Sequence, residues 1–246
     1  ADVGQEKTTT AAIARAKKAG ASKVVVRDLK KRFVSEYLWP ALKAGAVYEG
    51  RYTLATALSR PLIAAEQVAV AHEERATAVA HGCTGKGKDQ VRFEVTTQIL
   101  DSSLEILAPV REWEFRSRDE EIQYAHKHGI PIDVTKKSPF SIDKNIWGVS
   151  VEAGVLEDPD HEPPPDSFQW TRGAEKRDLK DTTVEILFEK GIPVGLNRKR
   201  KEGLELIGEL NELGAEYGIG RMDMVENRLI GIKSRETYEA PAATIL

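Results

Sequence analysis

The chain has 246 residues, 41% hydrophobic and 30% charged, enough to bury one large core or two smaller ones. A net charge of -3 with no dominant basic block makes nucleic acid a poor partner, and a single cysteine, Cys83, excludes an intrachain disulfide and fits a reducing, cytoplasmic setting. No apolar run approaches the roughly 20 residues of a membrane span.

The chain opens on "ADVGQEKTTT", without an initiator Met or a signal-peptide pattern, and stops on "APAATIL". Both ends read like cuts through a longer chain. In chain order, Val24, Val25 and Val26 in "ASKVVVRD" predict a strand buried on both faces. Leu29, Phe33 and Tyr37 recur at helical spacing, and Pro40 is expected to end that helix. "SRPLIAAEQVAVAHEERA" predicts a long helix, and "TAVAHG" a short strand ending at His81 and Gly82. "DQVRFEVTTQIL" predicts a helix with Val91, Val95 and Ile99 in one stripe. "LEILAP" is a further strand, closed by Pro109, and "RSRDEEIQYAHKHG" a helix capped by Gly129. Strand and helix in turn predict βαβ units and a parallel sheet, with ligands beyond the carboxyl ends of its strands.

The second half changes character. "EDPDHEPPPD" (157–166) predicts a loop, and "TVEILFEKGIPVGLN" a hairpin turning at Lys190-Gly191. Arg198, Lys199, Arg200 and Lys201 read as a solvated turn. Leu206, Leu210, Leu213 and Tyr217 predict an amphipathic helix, and "MDMVENRLIGIKS" a second hairpin turning near Glu226-Asn227. Two hairpins around a helix suggest an α+β domain. The boundary falls near Ile132, giving domains 1–132 and 133–246.

The stretch "HGCTGKGKDQVRFE", His81 to Glu94, concentrates the chemistry. It is no Walker loop: only Cys83 and Thr84 separate Gly82 from Gly85-Lys86, and Gly87 follows the lysine. No G-x-G-x-x-G is present either. What remains is a glycine-rich turn feeding a helix N-terminus, which can bind anions through its backbone N–H groups or be simply a turn. Asp89, Arg92 and Thr96 share a helix face distinct from the valine stripe. They form either a surface ion pair of small worth or a carboxylate and a guanidinium aimed at one zwitterionic ligand. Cys83 reads as a packing residue. His72, His126, His128 and His161 lack ligand spacing, so no metal site is expected.

The same stretch resembles the signature of the argininosuccinate synthase family. "ADVGQ", "GASKV", "WPALKAGAVYEGRY", "SRPLIA", "APVREWEF", "HGIPI", "KKSPFSID", "GVLEDP" and "MVENRLIGIKSRETYEAPAATIL" are similar to family blocks in the family's order, over nearly the whole chain. The resemblance implies an α/β fold: a parallel-sheet nucleotide-binding domain of the ATP pyrophosphatase (adenine nucleotide alpha hydrolase-like) type, then an α+β synthetase domain. It implies a carbon–nitrogen ligase of arginine biosynthesis and the urea cycle. Citrulline's ureido oxygen attacks the α-phosphorus of ATP, pyrophosphate leaves, and aspartate's amine displaces AMP from the citrullyl-adenylate. ATP with Mg²⁺ is then a substrate, no bound metal or organic cofactor is required, and the protein is a cytoplasmic homotetramer.

By match, Ala1 and Gly82 correspond to ATP contacts, Thr84, Lys88 and Asp89 to aspartate contacts, and Asp89 and Arg92 to the catalytic pair. Tyr52, Lys88, Arg92, Ser141, Ser150, Glu226 and Tyr238 correspond to citrulline contacts. Read alone, Tyr52 could equally be a core aromatic, Ser141 a helix cap and Glu226 a turn residue. The chain departs from the family pattern at Lys88, where Asn is common, and at Ala55 and Ala57. The family's first strand with its Ser-Gly-Gly-x-Asp-Thr pyrophosphate loop, and its C-terminal extension, are not in this sequence. The chain by itself is therefore expected not to turn over. A non-catalytic binding protein keeping the fold, and another ATP pyrophosphatase that thiolates or amidates, are the rival readings.

Overall fold

The computed structural model describes residues 1–5, 8–85, 87–115, 118–130, 140–173, 180–227 and 231–246. Lys86 and the boundary expected near Ile132 lie outside the described residues. Helix α1 (Thr8–Lys18) precedes the Val24–Val26 segment, and there the expected strand does not form. A strand must satisfy its N–H and C=O groups on a neighbour. Among the described residues Val24–Val26 joins no ladder; the chain pairs only just after it, in an Asp2–Asp28 bridge, and Val26 stays 47% exposed.

Pro40 does not end its helix. α2 (Lys30–Phe33) runs into a π turn (Val34–Leu38) and then α3 (Trp39–Lys43), whose first turn holds Pro40. Proline lacks an N–H and crowds the carbonyl one turn back; the widened turn before it absorbs both defects. α4 (Ala55–Glu73) starts four residues before the predicted Ser59 and carries Pro61 in its interior. Next come β1 (Ala78–Ala80), α5 (Asp89–Leu100) and β2 (Glu105–Leu107). β1 and β2 pair in parallel, which makes this a βαβ unit, and Val68, Ala71, Val79 and Leu104 form a small core beneath it.

The apolar stripe of α5 stays exposed, contrary to its pattern: Val91, Val95 and Ile99 are 38%, 46% and 77% exposed. On its polar side Asp89 bonds to Arg60 of α4. α6 (Arg118–Lys127) ends at Gly129 (φ +65), where Ile130 N–H closes on Ala125 O, as the sequence predicts.

In the second half, β3 (Ser141–Asn145) and β4 (Gly148–Glu152) form a hairpin, and short 3₁₀ turns interrupt the predicted loop. β5 (Ile186–Glu189) and β6 (Ile192–Leu196) turn through Lys190 and Gly191, both at positive φ. The basic run is more than a turn: Lys199–Arg200 forms strand β7, Arg198 and Arg200 pair with Glu185 and Glu189, and Lys201 with Glu205 and Glu209. α7 (Gly203–Glu216) buries Leu206, Ile207 and Leu210. β8 (Arg221–Asn227) and β9 (Lys233–Glu239) make the second hairpin, followed by α8 (Pro241–Ile245). Glu226 and Asn227 still belong to the ladder, paired to Ser234 and Lys233. The antiparallel sheet runs β3-β4-β9-β8. The main core unites both halves: Phe33, Leu38 and Leu62 pack in one cluster with Trp147, Leu206, Leu210 and Tyr238.

Candidate functional site

A cavity of about 610 Å³ opens where the turn after β1 faces the four-stranded sheet. Strand register builds its sheet wall. Residues opposite one another in an antiparallel pair share a face, and the face repeats every second residue. Ser150 opposes both Asp143 and Tyr238, while Met224 opposes Glu236 and Glu226 opposes Ser234. Asp143, Ser150, Glu226, Glu236 and Tyr238 therefore project from one side, and all five line the cavity.

The opposite wall is built by Gly82, Cys83 and Thr84 with Gly87, Lys88 and Asp89. Cys83 N–H donates to His81 Nδ1 (3.3 Å), which leaves the proton on Nε2 to face Glu94 (3.2 Å). Gln90 Nε2 donates to the carbonyls of Gly85 and Gly87, and Arg111 holds Gln90 in turn. A Cβ at Gly82 or Gly85 would meet nothing nearer than 4.0 or 3.9 Å. Internal packing thus does not demand these glycines.

Two ionic systems cross the cavity. Asp89 accepts from Arg92 Nη1 (2.6 Å) and from Arg60 Nε (2.7 Å), and the other arm of Arg60 donates to Asp143 (2.7 Å). Burial opposes the charge on Arg60, but the Asp143 and Asp89 carboxylates outweigh it and raise its pKa. Across from them Glu226, 3% exposed, accepts from Lys88 Nζ (2.7 Å) and from the Tyr238 hydroxyl. That hydroxyl also lies 2.6 Å from Glu236. A phenol donates one proton, so only one of the two carboxylates can accept it at a time.

Tyr52 stacks on Tyr238 with ring centroids 4.1 Å apart. Its hydroxyl accepts the Thr56 N–H (2.9 Å) and so caps the start of α4. Burial raises the pKa of Tyr52, and burial with the Glu236 and Glu226 carboxylates raises that of Tyr238, so both phenols stay neutral. Burial also raises the Cys83 thiol pKa, which disfavours a thiolate nucleophile.

Of the sequence-selected residues, Gly82, Thr84, Lys88, Asp89, Arg92, Tyr52, Ser150, Glu226 and Tyr238 meet at this cavity. Ser141 opens β3 and caps no helix. It opposes Glu152 on the cavity face of the sheet, one step beyond Asp143, but does not line the cavity. Ala1 does not line it either. Lys88 reaches Glu226, not Asp89. Arg60, Asp143, Glu152 and Glu236 were missed. Strand parity with Tyr238 is the signal that could have found Glu236. Among the described residues no group of three His, Cys, Asp or Glu could hold a metal ion, and no helix is long and apolar enough to cross a membrane.

Comparison with known proteins adds the family. The model described as arginosuccinate synthase N-terminal HUP domain matches residues 1–131, and that described as arginosuccinate synthase C-terminal domain matches residues 140–246. The chain is 58% identical over 245 residues to argininosuccinate synthase of Chlorobium phaeobacteroides (strain BS1), covering 100% of this chain and 61% of the relative. The Chlorobium luteolum protein of that name gives the same figures. The Chlorobaculum tepidum one is 59% identical over 219 residues, 89% of this chain and 55% of the relative. The chain thus spans about three-fifths of the length of these curated relatives. With the two family models matching residues 1–131 and 140–246 and identity near 58% over the whole chain, the chain belongs to the argininosuccinate synthase family.

Proposed function

We propose that the protein ligates citrulline to aspartate at the expense of ATP, releasing AMP and pyrophosphate, and that this cavity gathers the substrates. The observation that carries the reading is the pair of charged poles on facing walls. A buried carboxylate with a phenol stands on one wall, and a carboxylate held by two guanidiniums stands on the other. Zwitterionic amino acids need such opposed poles. In this reading Glu226 and Tyr238 take citrulline's α-ammonium, Arg92 its carboxylate, and Ser150, Ser141 and Tyr52 complete its seat. Thr84, Lys88 and Asp89 hold aspartate, and Gly82 and Ala1 meet ATP. Gly82 lines the cavity in a glycine-rich turn before a helix, a setting that suits a phosphate.

The chemistry needs positioning more than a nucleophile. Citrulline's ureido oxygen attacks the α-phosphorus and pyrophosphate departs. The oxygen then leaves with AMP as aspartate's amine forms the new carbon–nitrogen bond. Asp89, next to the amine in this reading, is placed to take its proton, and the guanidiniums at Arg60 and Arg92 hold it in orientation. The same reading takes ATP with Mg²⁺ as substrate. It puts the protein in arginine biosynthesis, in the cytoplasm and as a homotetramer, with domains 1–132 and 133–246. The test is pyrophosphate release by the protein at the length of its relatives, with ATP, citrulline and aspartate each omitted in turn. Release should require citrulline; release indifferent to citrulline overturns the reading.

A further inference from the structure

Lys88 stands at the N-cap of α5 without capping it; its side chain crosses the cavity to other elements. Its ammonium donates to Glu226 on β8 at 2.7 Å and lies 4.7 Å from the centre of the Tyr48 ring, in the turn before α4. The second Glu226 oxygen takes the Tyr238 hydroxyl. A carboxylate, a phenol and a ring face form a seat for any alkylammonium, whether it comes from the chain or from a ligand. Glu226 is deeply buried, with 4% of its side chain exposed, whereas Lys88 keeps 27% exposed on a flexible four-carbon stem. The carboxylate is fixed and its cation is free to leave. The pairs around Asp89 differ, because there rigid guanidinium forks from two helices hold the carboxylate.

We propose that Lys88 is an internal competitor for the amino-acid substrate: its ammonium fills the Glu226–Tyr48 seat and leaves when the substrate's α-ammonium arrives. Lys88 thereby sets the affinity for that substrate and spares Glu226 an unpaired buried charge while the cavity is empty. The inference rests on reading the cavity as an amino-acid site, and the experiment separates the two.

The probes are L-citrulline and 5-ureidopentanoate, which lacks only the α-ammonium, titrated calorimetrically into the 246-residue chain. Lys88→Met should tighten citrulline about two- to fivefold, the worth of a partly exposed ion pair. It should leave ureidopentanoate unchanged, and Lys88→Arg, which keeps a cation, should stay near wild type. Trinitrobenzenesulfonate labelling of Lys88 in the unaltered chain, read by peptide mass, should quicken when citrulline is added, whatever the variants do to folding. Citrulline binding that Lys88→Met leaves equal or weaker, or that leaves Lys88 labelling unchanged, overturns the competitor while the amino-acid site stands. No citrulline binding by any version overturns the site and the competitor together.

Discussion

Arg60 shows what one residue contributes and why a sequence hides it. Its fork donates to Asp89 and to Asp143, 29 and 83 positions away, and only 15% of its side chain is exposed. The Asp89–Arg92 pairing was legible, because residues three apart on a helix must share a face. Nothing local marks Arg60 as their third partner. Lysine cannot reproduce a fork with two carboxylates. Both acids keep some solvent, so Arg60→Ala should cost about 1–2 kcal/mol of stability in urea unfolding, and Arg60→Lys should recover less than half of it. Unchanged unfolding midpoints in both variants would remove Arg60 from the network. The phenols make a second residue-scale test. Burial raises the Tyr52 pKa, and burial with two carboxylates that of Tyr238. The neutral forms are the ones that fit, so stability should hold below the ordinary phenol value near pH 10 and fall as pH rises beyond it. Absorbance at 295 nm should show these two tyrosines ionising only as the circular dichroism signal collapses. Smooth ionisation of all six tyrosines with the fold intact would contradict this.

Elements were legible where local pattern and tertiary surroundings agree. Lys190-Gly191 gave its turn because glycine accepts the positive φ that the turn needs, and Leu206 and Leu210 gave the buried side of α7. The pattern misled where an element depends on a distant neighbour. Val24–Val26 has strand propensity but finds no strand to pair with among the described residues, and the polar face of α5 is bonded through Asp89 to Arg60, a partner its own pattern does not show. The connection from α7 to β8 depends on its neighbours in the same way. Gly220 sits at φ +86, and a Cβ there would lie 2.7 Å from the backbone of Ala240. Neither strand can retreat without breaking the Ala240 N–H to Gly220 O bond (3.0 Å). Gly220→Ala combines left-handed strain with a backbone clash and should destabilise by about 2–3 kcal/mol. Gly20→Ala has the strain without the clash, since nothing lies within 4 Å of its Cβ, and should cost about 1 kcal/mol. Equal losses in the two melting curves would show that backbone strain alone governs the connection.

At the scale of the whole molecule, the two family segments are joined through the main core. Asn145 donates to Ala55 O (2.8 Å) and accepts Trp147 N–H (2.8 Å), Trp147 Nε1 donates to Thr53 O (3.0 Å), and Ile146 N–H donates to Val3 O (3.0 Å). Each of these bonds except the Asn145–Trp147 one crosses from the second half to the first. They surround a cluster in which Phe33 and Leu62 pack with Trp147, Leu206 and Leu210. The βαβ unit has a thinner foundation among the described residues: a cluster of four buried hydrophobic residues, a two-stranded sheet, and a helix whose apolar stripe stays exposed. Opening free energies follow the burial and bonding of each region, so this unit should open before the rest. In native hydrogen exchange, peptides from α5 and β2 should exchange at least about tenfold faster than those from α7 and the β8–β9 ladder, a difference of about 1.4 kcal/mol in opening. The Asp89–Arg60 contact ties α5 to the more stable part, so Arg60→Ala should widen the gap by speeding α5 without touching α7. Uniform exchange across all four elements would mean that the cavity wall and the main core open as one unit. The charged poles of the site would then be held apart by global stability instead of by a locally yielding wall.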